Sequence, residues 1–164
     1  MKERKNTHHY LTFHLDSEWY AIEVLNIEEV LEYQHITRVP KMPEFMRGVI
    51  NVRGNVVPVV DLRYKFGLTV TEPSVDTSII VLEVSFAGDT IRIGTIADSV
   101  EEVVEISAEQ IEPSPKIGTQ LATDFIEGIG KINQRFVVIL DTDKIFTTQD
   151  IGKVTEKTAA LDSE

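Results

Sequence analysis

Residues 48–66 read Gly48-Val-Ile-Asn-Val-Arg-Gly-Asn-Val-Val-Pro-Val-Val-Asp-Leu-Arg-Tyr-Lys-Phe66. Two β-branched runs, Val49–Val52 and Val56–Val60, flank Arg53-Gly54-Asn55, a three-residue connection in which Gly54 supplies positive φ. The segment therefore reads as a β-hairpin. Asp61 then offers its carboxylate to the first turn of a helix over Leu62–Phe66, and Gly67 stands where a left-handed residue ends such a turn. Pro58 has no backbone donor and is expected at a sheet edge or a bulge.

The same pattern recurs downstream. Gly128 through Phe146 aligns on Gly48 through Phe66 without a gap, at an offset of 80 (128 − 48). Gly48/Gly128, Val57/Val137, Asp61/Asp141 and Phe66/Phe146 coincide, and the apolar positions follow. Upstream, Glu28-Glu29-Val30-Leu31-Glu32 matches Glu101-Glu102-Val103-Val104-Glu105 at an offset of 73, so the second copy is expected to carry about seven extra residues between blocks. Before these blocks, Leu11, Phe13 and Leu15 alternate with polar residues until Asp16-Ser17-Glu18 breaks the run ahead of Trp19–Val24, a further hairpin. The chain thus reads as a tandem repeat, the first copy about 10–67 and the second about 76–147. Each copy is too small to bury a self-sufficient core, so the two should pack together. Short β-rich units protect their edges by closing, which makes two small five-stranded barrels the expected architecture.

Gln34–Pro43 and Gln110–Gln120 read as proline-bearing extended loops and Leu68–Asp76 as the link between copies. Residues 1–9 are expected to form a flexible N-terminal tail and 148–164 a polar C-terminal one. An excess of 27 acidic over 16 basic residues gives a formal charge of −11, which disfavours nucleic acid and anionic membranes as partners. The absence of cysteine removes disulfides, thiolate metal sites and a thiol nucleophile, in keeping with the cytosol. No apolar run reaches signal-peptide or membrane-span length, so neither export nor insertion is expected.

The search for reactive constellations returns none. Glu28/Glu29 and Glu101/Glu102 are adjacent on strands and point to opposite faces, which suits solvated strand ends rather than an acid–base pair. His8, His9, His14 and His35 lack metal-ligand spacing, and neither a nucleophile elbow nor a phosphate loop occurs. Asp61 and Asp141 read as helix caps. A duplicated barrel without nucleophile, base and oxyanion donors points to a binding protein without enzymatic activity or cofactor. A small enzyme on a double-barrel scaffold is the alternative from a different class.

Phe45-Met-Arg-Gly-Val-Ile-Asn-Val-Arg-Gly-Asn-Val-Val-Pro-Val-Val-Asp-Leu-Arg-Tyr-Lys-Phe66, together with Tyr20-Ala-Ile-Glu-Val, Ile27-Glu-Glu-Val and Ala108-Glu-Gln-Ile-Glu-Pro-Ser-Pro115, resembles CheW, the bacterial chemotaxis coupling family, over about residues 10–146. The resemblance implies an all-β fold of two intertwined five-stranded SH3-like barrels with short helical turns. It implies a cytoplasmic adaptor, recruited to membrane-associated receptor arrays, that couples methyl-accepting chemotaxis receptors to the histidine kinase CheA. By the same resemblance, Val24, Ile27, Glu29, Gly48 and Arg53 fall around a receptor-binding groove, with Glu29 and Arg53 expected to form an ion pair. Ser78 and Val103 match kinase-facing positions on the second barrel. Glu112, where the family commonly has a basic or neutral residue, and Ile117, expected as an exposed apolar contact, match a second ring contact. Partners implied are the regulatory domain of CheA, the receptor's cytoplasmic tip and further CheW copies. The CheW-like module also occurs in CheV-type proteins fused to a receiver domain, for which 164 residues are too few.

Overall fold

The computed structural model of the chain describes residues 7–86, 88–113 and 125–146. In chain order the elements are β1 (Thr7–Leu15), β2 (Glu18–Glu23), β3 (Ile27–Glu32), β4 (Met46–Val52), β5 (Asn55–Val60), α1 (Leu62–Phe66), β6 (Ser78–Phe86), β7 (Asp89–Ala97), β8 (Ser99–Ser107), β9 (Ile111–Glu112), β10 (Ile126–Ile132), β11 (Arg135–Leu140) and α2 (Thr142–Ile145). No helix among the described residues is long and apolar enough to cross a membrane.

Two curled sheets result, one in the order β8-β1-β2-β11-β10-β9 and the other β3-β6-β7-β5-β4. They do not follow the sequence copies. Hairpin β1–β2 of the first copy lies beside β8, β10 and β11 of the second, while hairpin β6–β7 of the second lies beside β3, β4 and β5 of the first. Replacing each strand of the second order by its counterpart in the other copy turns it into β8-β1-β2-β11-β10. The copies therefore exchange their N-terminal hairpins about a pseudo-two-fold axis, which is the physical content of intertwining.

The exchange explains the continuous apolar runs. Val57, Val59, Ile79 and Val81 face a core inside one barrel, and Tyr10, Ala21, Ile106, Val137 and Ile139 a core inside the other. Val60, Ile80, Leu82, Phe13, Leu15, Ile22 and Leu140 point the opposite way, into a third core between the barrels. Strands such as β5 and β6 are covered on both faces and so need no polar alternation. Phe66 and Phe125 stack there at 4.6 Å, joining the two copies.

Several expectations are corrected. The connections are two-residue turns: Leu15 pairs with Glu18, Val52 with Asn55 and Ile132 with Arg135. Glu18 and Asn55 are strand residues, and Asp16-Ser17, Arg53-Gly54 and Asn133-Gln134 all take positive φ, the turn geometry whose twist suits hairpin strands. Thr7, His8 and His9, expected in the flexible tail, pair with Ser107, Ile106 and Glu105. Residues 148–164 lie outside the described residues.

The upstream repeat register shifts in two steps. Thr37 stands opposite Val49 and Glu112 opposite Ile129. Because Val49 and Ile129 are equivalent at offset 80, Thr37 and Glu112 are equivalent at offset 75 (112 − 37). On the strands β3 and β8 themselves the offset is 73: Leu31 opposite Ile79, Val30 opposite Ile80 and Ile27 opposite Leu82 answer Val104 opposite Tyr10, Val103 opposite Leu11 and Val100 opposite Phe13, with the bulge in the same place. The Glu/Val match at 73 is thus in register, and the seven extra residues of the second copy enter as two between β8 and Glu112 and five between Glu112 and β10.

Pro58 sits in an interior strand, β5 lying between β7 and β4. Its partner Val49 directs both backbone groups to Thr37, at 2.9 and 2.8 Å, so Val49–Pro58 is a non-hydrogen-bonded pair. The parallel ladder to β7 begins one residue later, at Val59. Neither neighbour asks Pro58 for a donor, and the bulge of this hairpin falls at Arg47 instead.

Candidate functional site

Where the chain crosses from one barrel to the other between β2 and β3, Val24–Asn26 form a single 3-10 turn. Val24 and Ile27 are half-buried against the inter-barrel core, while Leu25 between them is 80% exposed. Val30, one strand turn further on, is also exposed. The sequence offered no reason to separate Leu25 from its neighbours, because all three are aliphatic at a strand end.

Glu29 faces the end of its barrel with a side chain 17% exposed, and Arg53 Nη2, at the tip of the β4–β5 hairpin, donates to its Oε1 at 3.2 Å. Glu29 is therefore no solvated strand end. Its second oxygen, Oε2, is buried without a partner among the described residues. The other barrel lacks this pair. At the offset of 73 Glu29 corresponds to Glu102, and at the offset of 80 Arg53 corresponds to Asn133. The second barrel thus keeps the acid but has an amide in place of the arginine, so the pair marks one end of an otherwise two-fold molecule.

Gly48 does not line this edge. It is buried at φ +146°, and a Cβ there would stand 2.1 Å from the Thr37 carbonyl oxygen. Its role is to let the chain after β3 close the barrel on β4. Gly128 makes the same approach to Ile111 and Glu112 in the other barrel.

Ser78 and Val103 fall in different sheets, which corrects their shared placement on the second barrel. Ser78 opens β6 in the β3–β7 sheet, with its hydroxyl 3.4 Å from the Asp76 carbonyl oxygen. Val103 lies on β8 of the other sheet, 56% exposed. Glu112 is exposed on β9, so residues 111–112 are strand rather than loop. Ile117 lies outside the described residues.

A buried charge network went unrecognised in the sequence. Asp61 caps α1 as expected, its Oδ1 accepting from the Arg63 amide at 3.0 Å, but it also grips the Arg63 guanidinium from both oxygens at 2.9 Å. Arg63 Nη1 donates to Asp98 Oδ1 at 2.6 Å. The other Asp98 oxygen accepts from the Asp16 amide at 2.7 Å, and Asp16 in turn accepts from the Thr69 amide at 3.0 Å. Burial opposes the charged guanidinium, yet the hydrogen bonds and charges of Asp61 and Asp98 outweigh it and raise the Arg63 pKa above the ordinary arginine value. The network ties α1 of one barrel to the β1–β2 turn of the other. Asp-Leu-Arg at i, i+2 was the available signal, masked by the usual expectation that a short helix keeps its arginine in solvent.

The CheW-like domain family matches residues 9–150. The chemotaxis protein CheW of Klebsiella aerogenes is 34% identical over 145 residues, covering 88% of this chain and 85% of that protein. That of Bacillus subtilis is 34% identical over 144 residues, covering 87% and 89%. The crystal structure of the scaffolding protein TtCheW from Thermoanaerobacter tengcongensis superposes with a TM-score of 0.77 at 34% identity, covering 87% of this chain and 90% of that one. Its two barrels, the exchanged hairpins and a match along most of its length show that this chain belongs to the CheW-like family of non-catalytic chemotaxis scaffold proteins.

Proposed function

We propose that the chain couples methyl-accepting chemotaxis receptors to the histidine kinase CheA in a cytoplasmic array at the membrane. The receptor's helical tip docks beside the β2–β3 crossing and the Glu29–Arg53 pair, and the CheA regulatory domain, with further CheW copies, takes other faces. Exposed Val103 suits one such contact, Ser78 on the other sheet would serve a separate kinase contact, and Glu112 with Ile117 are assigned to the second ring contact. The observation that carries the receptor assignment is Leu25, 80% exposed between two half-buried aliphatics and near a one-sided ion pair. A few aliphatic anchors with polar neighbours that fix orientation are what helix-in-groove recognition needs.

The experiment is titration of a receptor-tip fragment and of CheA. Leu25→Asp is expected to weaken receptor-tip binding at least tenfold with no change in Tm, since its side chain is free of the core. Ile27→Asp should weaken it as much but also lower stability, because Ile27 packs against the inter-barrel core. Unchanged titration curves for Leu25→Asp would remove the assignment, and failure of the native chain to bind either partner would remove the coupling function.

The ion pair gives an independent test. Arg53 is 76% exposed and Glu29 17%, so the pair falls between a surface pair worth under about 1 kcal/mol and a buried one. Arg53→Ala is expected to weaken receptor binding and kinase activation, and the Glu29→Arg, Arg53→Glu swap to recover part of the loss. A double-mutant cycle with zero coupling in both stability and receptor affinity would reduce Arg53 to a solvated turn residue.

A further inference from the structure

We propose that the cleft under the loop joining β3 to β4 is a second docking site, which takes a short acidic segment of a partner protein. The cleft holds about 720 Å³ between that loop, the start of β4 and α1, ample for several side chains. Arg38, Lys41 and Arg47 line it against a single acid, Glu44. Three cations in one cleft are out of proportion in a chain of net charge −11.

These cations are not occupied by the fold. Arg38 and Lys41 are exposed and take part in no ion pair or hydrogen bond given by the described residues. Arg47 is 4.0 Å from Asp61 Oδ2, but both Asp61 oxygens already receive Arg63. Elsewhere among the described residues arginines are engaged: Arg53 with Glu29, Arg92 with Glu28, Arg63 with Asp61 and Asp98, and Arg135 over the Trp19 ring at 4.1 Å. The charge in the cleft is thus in surplus and directed at solvent.

The frame is fixed before anything binds. The loop is pinned at one end by the paired Thr37 and Val49 and at the other by the Met46 amide donating to Pro43 at 3.0 Å and the Asp61 amide to Phe45 at 2.7 Å. Presenting cations from a pinned loop limits the ordering cost of binding. Tyr33, Met42 and exposed Tyr64 supply an apolar wall beside the charges. That combination suits a peptide carrying one or two carboxylates next to an aliphatic or aromatic residue. A nucleic acid or an anionic membrane would bring extended negative charge against the acidic remainder of the surface, which opposes it. This site stands apart from the receptor assignment at Leu25 and does not depend on it.

The test is selection of a random heptapeptide library on the full chain, followed by fluorescence anisotropy of the enriched peptides. Enrichment in Asp and Glu is expected. Kd should rise at least threefold for Arg38→Glu or Lys41→Glu alone and at least tenfold for both. Lys131→Glu, an equal charge change on exposed β10, should leave it within twofold. Affinity should also fall between low and moderate salt. Selected peptides without acidic enrichment, a doubly reversed variant that binds as well as the native chain, or displacement by inorganic phosphate as effective as by free peptide would each overturn the proposal.

Discussion

Arg63→Ala is expected to lower the unfolding free energy by about 3–5 kcal/mol, the cost of breaking a buried pair from one side. Asp61 is fully buried and Arg63 4% exposed, so the surviving carboxylate has no solvent to turn to, and Asp98 loses its 2.6 Å donor as well. For a chain of this size the loss corresponds to a fall in Tm of roughly 6–20 °C. Arg63→Lys should not rescue it, because an ammonium cannot serve both Asp61 oxygens and Asp98 in the geometry of a planar fork. Asp61→Asn with Arg63→Met should recover part of the loss, since Asn caps a helix about as well as Asp and leaves no buried charge. Thermal melts of the three variants against the native chain decide the matter: an Arg63→Ala protein within about 1 kcal/mol of the native one would mean that the network contributes packing rather than charge pairing.

That network also shows where sequence reasoning stops. The hairpin of residues 48–60, the Asp61 cap and the second copy at offset 80 were readable because they are local: turn residues, β-branched runs and a capping side chain act within a few positions. Hairpin exchange is not local. Strands β1 and β2 carry the same alternation whether they pair with β3 or with β8 and β11, so composition cannot tell an exchanged barrel from an unexchanged one. Pro58 was misplaced for a related reason. Its tolerance depends on where Val49 sends its hydrogen bonds, and that is fixed by Thr37, which lies outside the hairpin. The offset of 73, by contrast, was readable: β3 and β8 pair alike, Leu31 with Ile79 and Val104 with Tyr10, so the short Glu/Val match reports position. Of the site residues, Glu29 and Arg53 do meet; Gly48 reached the same group by resemblance, and its burial gives it a different task.

Gly48→Ala is expected to be the most damaging single methyl addition among the described glycines, at about 3–5 kcal/mol. Two costs combine. At φ +146° an L side chain is strained by about 1–3 kcal/mol. The new Cβ would also stand 2.1 Å from the Thr37 carbonyl oxygen and 2.8 Å from Ile36 Cγ2, and a backbone oxygen cannot rotate away as a side chain can. Thr37 must therefore withdraw, breaking the two hydrogen bonds it exchanges with Val49, each worth about 1 kcal/mol. Gly128→Ala is the internal comparison. It meets Ile111 Cγ2 at 2.5 Å and the Glu112 oxygen at 2.6 Å, without the positive φ, so it should cost less. Denaturant melts give the two losses, and hydrogen exchange locates them: the Thr37 and Val49 amides should lose protection in Gly48→Ala and keep it in Gly128→Ala. The same measurement separates two readings of any receptor-binding defect at Gly48. If binding falls while both amides stay protected, Gly48 touches the receptor tip directly and its assignment to barrel closure is wrong. If binding and protection fall together, the defect acts through the closure that brings the β4–β5 hairpin, and with it Arg53, against Glu29.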